Sequence, residues 1–259
     1  MSAKIELNIP ENHPRYRAMM IRHDMIEGCH NKVVAPAGLI AQGRGEAFDY
    51  LMGEKTNSFA DRAIKAAAAA FLLAEKPVIS VNGNTAQLLP EGLVKLSEAT
   101  GAPLEVNLFY RAEGREEAIE KKLKDAGAKE VYGIGENLCA TIPELTSDRR
   151  LVDPRGILVA DLVFVPLEDG DRTEALVAMG KKVITIDLNP ISRTPRKAHI
   201  SIIDNLVRAV PKMIEYVNEL KKLPKSEIQK IIDEYDNKQV LRDSLLKIAD
   251  RLTELSKEI

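Results

Sequence analysis

The sequence contains no tryptophan, only two cysteines and only four histidines, and neither sign of charge prevails. Cys29 and Cys139 form no CxxC pair and have no cluster of ligands around them, which argues against a structural zinc site. The formal net charge of −2 creates no overall field that would attract nucleic acid or anionic lipid. Any anion-binding site in this chain must therefore be local.

Long apolar runs are also missing. No stretch approaches the roughly 20 apolar residues that span a bilayer, and residues 1–14 lack the apolar segment of a secretory signal. We therefore expect a cytoplasmic protein that binds neither membranes nor nucleic acid. The abundance of lysine and glutamate, together with the lack of tryptophan, favours a heat-adapted source.

Several motifs of known chemistry are absent. The sequence has no GxxxxGK[ST] loop, no GxSxG elbow and no HExxH pair, which argues against a P-loop enzyme, an α/β-hydrolase and a zincin. Two Gly-x-Gly pairs, at 43–45 and 133–135, lack the third glycine of the dinucleotide fingerprint. A nucleotide site would have to be built in another way.

What is present is the pattern of an α/β protein. Hydrophobic residues make up 45% of the 259 positions and charged residues 29%, as in a globular protein with a substantial core. Short β-branched runs alternate with helical segments, which predicts a mostly parallel, Rossmann-like sheet with helices on both faces. The predicted strands are 78–81, 104–108, 130–132, 161–165, 183–186 and 199–202.

The organisation along the chain predicts one nucleotide-binding domain over 1–259, with additional helices at both ends. Its predicted parts are an N-terminal helical part at about 14–75, a sheet core at about 76–204 and C-terminal helices at about 205–259. The last helix carries leucine and isoleucine at helical spacing from Leu241 to Leu255. Its apolar face would cover either the core of its own chain or a second subunit.

Two strand ends carry polar residues, and ligands of such sheets bind beyond the carboxyl ends of strands. After strand 78–81 come Asn82, Gly83 and Asn84, a tight turn into a helix that could bind the phosphate of a substrate or could be an ordinary connection. After strand 183–186, Asp187 could bind ribose hydroxyls, and Arg193 could bind phosphate.

The same interpretation extends to the next strand end, where Asp204 is the predicted cap of a helix and Asn205 opens it. A polar loop with solvated arginines is the alternative for 187–196. In the N-terminal third, Arg22 and Arg44 are either solvated charges or ligand contacts. Arg44 lies between two glycines, which would let a ligand approach the backbone closely.

Four segments resemble a known family of enzymes. They are 13–16 (His-Pro-Arg-Tyr), 38–51 (Gly-Leu-Ile-Ala-Gln-Gly-Arg-Gly-Glu-Ala-Phe-Asp-Tyr-Leu), 53–56 (Gly-Glu-Lys-Thr) and 187–190 (Asp-Leu-Asn-Pro). They are similar to segments of the archaeal 4-phosphopantoate–β-alanine ligases, also called phosphopantothenate synthetases, and the likeness extends over essentially the whole chain. Gln42 departs from the histidine expected in many relatives, with a slight expected effect on function.

The resemblance implies an ATP-dependent ligase of coenzyme A biosynthesis. Such an enzyme joins 4-phosphopantoate to β-alanine through an acyl-adenylate and releases AMP and pyrophosphate, with Mg²⁺ as cofactor. The resemblance also implies a homodimer. The ATP contacts that it implies are Arg22, Arg44, Asp187, Leu188, Asn189, Arg193, Thr194, Asn205 and Leu206.

Two other functions remain open from the sequence. One is an NAD-binding oxidoreductase or deacylase on a similar sheet, which would need a catalytic His or Tyr beside the cofactor. The other is a nucleotide sensor without catalysis, dimerised through its terminal helices. Neither explains the conspicuous block at 43–50. Metal ligands and the residues that bind β-alanine cannot be assigned from the sequence.

Overall fold

Five parallel strands form the central sheet, and two short strands form a separate antiparallel ribbon. The strands are β1 (Pro77–Val81), β2 (Leu104–Val106), β3 (Ala140–Thr141), β4 (Leu151–Val152), β5 (Leu162–Phe164), β6 (Lys182–Ile186) and β7 (Ile200–Ile202). The computed structural model describes residues 9–145 and 147–259. Within them the sheet has the order β2-β1-β5-β6-β7, and β3 pairs with β4.

Helices surround the sheet and occupy both ends of the described chain. They are α1 (Tyr16–His30), α2 (Pro36–Met52), α3 (Ser58–Leu73), α4 (Gly83–Leu88), α5 (Pro90–Thr100), α6 (Arg115–Asp125), α7 (Gly170–Ala178), α8 (Arg193–Lys197), α9 (Leu206–Leu220), α10 (Lys225–Asp233) and α11 (Asn237–Leu255). The prediction of an α/β fold with a parallel sheet and additional terminal helices is confirmed. No helix in the described ranges is long and apolar enough to cross a bilayer.

Successive residues of the strands pack into two different cores, as the two-residue period of a strand requires. Ile79 and Ile184 belong to the larger core, which includes side chains of α3, α5 and α9. Val78 and Val183 belong to the smaller core, which includes side chains of α7 and of the segment 140–157. Because both faces are covered, these strands are almost continuously apolar.

The strand order places a switch in direction beside β1. The chain passes from β1 to β2 on one side, and the later strands β5, β6 and β7 follow on the other side. The connections from β1 and from β5 therefore diverge, leaving a crevice at the carboxyl ends of the two strands. Doubly wound sheets bind their ligands in such a crevice.

Two expectations from the sequence differ from the structure. The predicted strand at 130–132 is reduced to a single parallel bridge between Tyr132 and Glu105. The predicted strand at 104–108 ends at Val106; the N–H of Asn107 still donates to the carbonyl of Val81, while its side chain donates to the carbonyls of Arg149 and Leu151. The division of the chain into one domain with three parts stays a prediction.

The last helix packs on its own chain and still exposes apolar side chains. α11 contacts α2, α3, α8 and β7, and Val240 and Ser244 are buried there. Leu245, Leu246 and Leu252 lie on the exposed side. One side of this helix therefore covers the core of its own chain. The exposed leucines remain available to a second subunit.

Candidate active site

A cleft of about 500 Å³ opens where the carboxyl ends of the parallel strands face helix α2. We call it the main cleft. Its walls come from 41–48 of α2, from α4, and from the segments 167–170, 187–194 and 205–206 that follow β5, β6 and β7. The cleft therefore occupies the position expected for the ligand of a doubly wound sheet.

The turn after β6 is fixed by its own aspartate. Oδ1 of Asp187 accepts a hydrogen bond from the backbone N–H of Asn189 at 2.9 Å, and Oδ2 accepts one from the hydroxyl of Ser192 at 2.6 Å. Burial raises the pKa of Asp187, although these hydrogen bonds and the charge of Arg44 oppose the shift. Each oxygen has a second lone pair, so the carboxylate can still accept a bond from a ligand hydroxyl.

The turn after β7 begins helix α9 with Asn205. Its Oδ1 accepts a hydrogen bond from the N–H of Val207 at 3.3 Å, and its Nδ2 donates to Oδ2 of Asp49 at 3.1 Å. The prediction that Asp204 caps this helix is wrong. Asp204 is drawn away by stronger partners, because its carboxylate accepts charge-assisted bonds from Arg208 and a 2.6 Å bond from the hydroxyl of Thr56.

An ion pair ties helix α2 to the start of α9. Asp49 is buried, and the guanidinium of Arg208 donates to both of its carboxylate oxygens, at 2.6 and 3.1 Å. Five residues earlier on α2, the exposed Arg44 faces the main cleft and makes no ion pair with the residues that the structure describes. Within the block at 43–50, the buried Asp49 thus holds α2 against α9, and the exposed Arg44 lines the main cleft.

A second space of about 240 Å³ adjoins the main cleft at the end of β1. We call it the second chamber. Asn82, Gly83, Tyr110 and Arg115 line it, and the main cleft and the second chamber share a wall that includes Arg44. Other shared residues are Ala41, Asn84, Leu167, Glu168 and Asp169.

The side chains of the asparagines after β1 are used within the protein. Oδ1 of Asn82 accepts from the N–H of Thr85 at 3.1 Å, and its Nδ2 donates to the carbonyls of Pro166 and Leu167. Asn82 thereby joins the turns after β1 and β5. The Nδ2 of Asn84 donates to the carbonyl of Gly38 on α2 at 2.9 Å.

A buried ionic network lies beneath both spaces and was missed by the sequence analysis. Glu168 accepts from Arg149 at 2.6 Å and from the fully buried Arg172 at 2.7 Å, and Nη1 of Arg172 also donates to the hydroxyl of Ser80. Nε of Arg149 lies 2.8 Å from a carboxylate oxygen of Asp169, as an ion pair without hydrogen-bond alignment.

Comparison with known proteins shows the family to which the chain belongs. The family model described as "Phosphopantothenate/pantothenate synthetase" matches residues 59–251. The chain belongs to this synthetase family. It is 54% identical to the 4-phosphopantoate–β-alanine ligase of Thermococcus kodakarensis over 97% of this chain and 96% of that one. It is 51% identical to the ligase of the same name from Methanosarcina mazei, over 97% and 98%, and 45% identical to that of Methanospirillum hungatei, over 94% and 98%.

Most of the ATP contacts predicted for this synthetase lie together in the structure. Eight of the nine predicted contacts are among the residues that line the main cleft: Arg44, Asp187, Leu188, Asn189, Arg193, Thr194, Asn205 and Leu206. Thr194 is buried, and its hydroxyl donates to the carbonyl of Glu168 at 2.9 Å. The side chain of Arg193 is 58% exposed and pairs with Asp171 at the rim.

Arg22 and two of the phosphate candidates of the synthetase lie outside the main cleft. The guanidinium of Arg22 is half exposed and binds both carboxylate oxygens of Glu46. Asn82 and Gly83 line the second chamber only, whereas Asn84 lines both spaces. The structure thus separates the predicted site residues into two neighbouring groups.

Proposed function

We propose that this protein is an ATP-dependent 4-phosphopantoate–β-alanine ligase that acts in coenzyme A biosynthesis in the cytoplasm. Its nearly full-length similarity to ligases of that name carries the proposal. A large cleft and a smaller chamber that share one wall suit two substrates that must react with each other. The similarity favours a ligase over an NAD-binding enzyme or a nucleotide sensor.

The proposed reaction has two steps. A carboxylate oxygen of 4-phosphopantoate attacks the α-phosphorus of ATP, the bond to the β-phosphate oxygen breaks, and pyrophosphate leaves. The amine of β-alanine then attacks the acyl carbon of the adenylate, AMP leaves, and the nitrogen loses a proton. The first step depends on alignment and on neutralisation of phosphate charge, which cationic side chains supply.

We place ATP in the main cleft. The turns after β6 and β7 would hold the nucleoside, with Asp187 accepting from ribose hydroxyls and Leu188, Asn189, Asn205 and Leu206 around it. Arg44, on the wall shared with the second chamber, and Arg193 and Thr194 of the main cleft would contact the phosphates. Arg22 would reach a phosphate only after releasing Glu46, so its contact stays a prediction.

We place 4-phosphopantoate in the second chamber, with its carboxylate at the shared wall near Arg44. The turn at Asn82, Gly83 and Asn84 would lie beside its phosphate group. Because the asparagine side chains are engaged within the protein, the turn would contribute backbone N–H groups. A phosphate oxygen accepts such bonds readily, as in many turns that follow a strand.

A Mg²⁺ ion bound with ATP fits one carboxylate of this site. Asp169 lines both the main cleft and the second chamber, and its side chain is 29% exposed. Its Oδ2 is paired with Arg149, and its Oδ1 accepts a bond from the backbone N–H of Arg172, which leaves Oδ1 a further lone pair for the ion. Despite burial, the charge of Arg149 keeps the pKa of Asp169 below its usual value, so the group stays ionised. Mg²⁺ commonly takes one or two carboxylates and completes its shell with phosphate oxygens and water. When bound, the ion would neutralise phosphate charge.

We also propose a homodimer. The apolar side chains on the exposed side of α11 include Leu245, Leu246, Leu252 and Leu255. Leu245, Leu252 and Leu255 form a row at helical spacing, with Leu246 beside it, that a second copy could cover. Light scattering coupled to size-exclusion chromatography gives the mass directly, and a monomer at micromolar concentration would contradict this part of the proposal.

A product assay tests the proposed function. The protein is incubated with ATP, Mg²⁺, 4-phosphopantoate and β-alanine, and AMP is resolved from ADP. We expect phosphopantothenate and AMP in equal amounts. Formation of ADP with phosphopantothenate would support the ligase activity but would show that the intermediate is an acyl phosphate and not an acyl-adenylate. The absence of product, with ATP still bound, would overturn the ligase.

A further inference from the structure

A buried arginine faces the second chamber without a counter-ion. Arg115 begins helix α6 and is 9% exposed, and its side chain lines the chamber. Within residues 9–145 and 147–259 no carboxylate lies within ion-pair distance of it. The neighbouring acid on its helix, Glu116, pairs with Arg111 instead.

The hydrogen bonds of Arg115 fix its position but leave its charge uncompensated. Its Nη1 donates to the carbonyl of Tyr110 at 2.5 Å, and its Nε donates to that of Val33 at 3.4 Å. Nη2 lies over the turn after β1, 2.8 Å from where a Cβ of residue 83 would be, and that Cβ would also overlap the carbonyl oxygen of Val33. Gly83 therefore leaves room for the guanidinium at the floor of the chamber.

The other buried arginines of this region, unlike Arg115, pair with carboxylates. Arg149 and Arg172 share the carboxylate of Glu168, and Arg149 also pairs with Asp169. Burial, followed by repulsion from Arg149, lowers the pKa of Arg115. A buried cation without a partner is costly in a folded protein. Such a charge beside a cavity is compensated when an anionic ligand enters.

We propose that Arg115 binds the phosphate group of the phosphorylated acid and makes the enzyme select it over the unphosphorylated acid. This inference rests on the proposed function and deepens it. Arg44 lines both spaces, whereas Arg115 lines only the second chamber. An acid with an anionic group at each end would therefore place its carboxylate near Arg44 and its phosphate at Arg115.

The planar guanidinium suits this role. It can donate two parallel hydrogen bonds to one phosphate group, a geometry that a lysine ammonium lacks. The hydroxyl that replaces the phosphate in the unphosphorylated acid would leave the buried charge without compensation. The discrimination would then arise from the penalty of that unpaired charge as well as from the lost bonds.

The experiment compares Arg115→Met with the wild type, and Arg111→Met serves as the matched control. Arg111 is a partly buried arginine on the segment that precedes α6, and it lines neither space. Binding of 4-phosphopantoate and of pantoate is measured by calorimetry, with and without an α,β-methylene analogue of ATP. Steady-state kcat/KM is measured for both acids.

For Arg115→Met we expect the Kd for 4-phosphopantoate to rise about 100-fold, as for loss of a buried charged contact. The Kd for the ATP analogue should change less than about threefold, and the preference for the phosphorylated acid in kcat/KM should fall about 100-fold. Arg111→Met should keep the wild-type preference. An equal loss for both acids would show that Arg115 binds the carboxylate or is structural, and an unchanged preference would also overturn the proposal.

Arg115→Lys covers the case in which the methionine variant does not fold. It keeps the charge and loses the two parallel donors, so the preference should fall about tenfold; an unchanged preference counts against the proposal. If the wild type forms no product, the proposed function fails by itself. The calorimetric comparison of the two acids still tests Arg115 in that case.

Discussion

The main cleft and the second chamber differ in how their charges are compensated. In the main cleft, the carboxylate of Asp187 is engaged by its own turn, and the asparagine that opens α9 is held by Asp49. In the second chamber, the buried guanidinium of Arg115 donates only to the carbonyls of Tyr110 and Val33, and no carboxylate of the described residues pairs with its charge. A surface of satisfied polar groups suits a nucleoside, whereas an uncompensated cation suits a small anion. In the proposed arrangement, the turns after β6 and β7 would thus hold the uncharged nucleoside, and the second chamber would hold a small anionic group.

The largest expected effect comes from Arg44, the cationic residue on the wall that both spaces share. Arg44→Met removes the cation beside the proposed carboxylate and phosphates, and we expect kcat/KM for 4-phosphopantoate to fall about 1000-fold. Steady-state kinetics with each substrate varied in turn measure this. Arg150→Met, at an exposed arginine that lines neither space and lies outside α11, is the control and should behave as the wild type. A loss below about tenfold would remove Arg44 from the reaction.

The next effect concerns the support of the main cleft. Arg208→Met leaves the carboxylates of Asp49 and Asp204 buried without their cation, and we expect the free energy of unfolding to fall by about 3 kcal/mol. Urea denaturation measures it. The double variant with Asp49→Asn should be less destabilised than the sum of the two single variants, because the uncompensated charge is then smaller. Strict additivity would contradict the coupling.

A smaller expected effect, on the KM for ATP alone, tests whether the main cleft and the second chamber bind different substrates. Asp187→Ala loosens the turn after β6 and removes the proposed ribose contact, so we expect the KM for ATP to rise about 30-fold. The KM for 4-phosphopantoate should remain within about threefold of the wild type, since the residue lies only in the main cleft. Parallel increases in both KM values would mean that the two spaces are not independent.

The smallest effect concerns a carboxylate that is buried in the sheet. Glu105 is buried on β2 and accepts hydrogen bonds from the N–H groups of Asp153 and Ile157. Burial raises its pKa from 4.5 to about 7, partly opposed by these bonds. The folded state therefore binds a proton more tightly than the unfolded state does. Its contribution to stability is complete below about pH 4.5 and is lost as the pH rises through about 7.

We therefore expect the stability difference between the wild type and Glu105→Gln to shift in favour of the variant as the pH rises from 5 to 8. The slope is at most about 1.4 kcal/mol per pH unit for one proton. Urea titrations at half-unit intervals of pH measure it. A pH-independent difference would mean that Glu105 is ionised throughout this range in the folded protein.

Sequence reasoning found the parts of the site that follow a local rule. Asp187, Asn189, Arg193 and Asn205 follow predicted strands, and parallel strands bring their carboxyl ends to one edge of the sheet. The same rule, applied to the strand at 161–165, would also have found Glu168 and Asp169. The strand positions were predicted well because both sheet faces are buried and the β-branched runs are continuous.

Other features could not be read from the sequence because they depend on distant packing. Arg115 looks like an ordinary solvated arginine at the start of a helix, and only the approach of Val33 and Gly83 buries it. Asp204 was expected to cap α9; its pairing with Arg208 is local, at an i,i+4 spacing, but its hydrogen bond from Thr56 depends on a loop that is distant in sequence. Local propensity is overridden at these positions by tertiary contacts.

The main cleft is assembled from segments that lie between residues 41 and 206, on one helix and several strand ends. A partly folded chain or an isolated fragment cannot present all of these walls together. ATP in the cleft would thus bind only the completed fold, and by mass action a concentration of 100 times Kd would add about 2.7 kcal/mol to its stability. The free energy of unfolding would then depend on the concentration of ATP, and the enzyme would be most stable when this substrate is abundant.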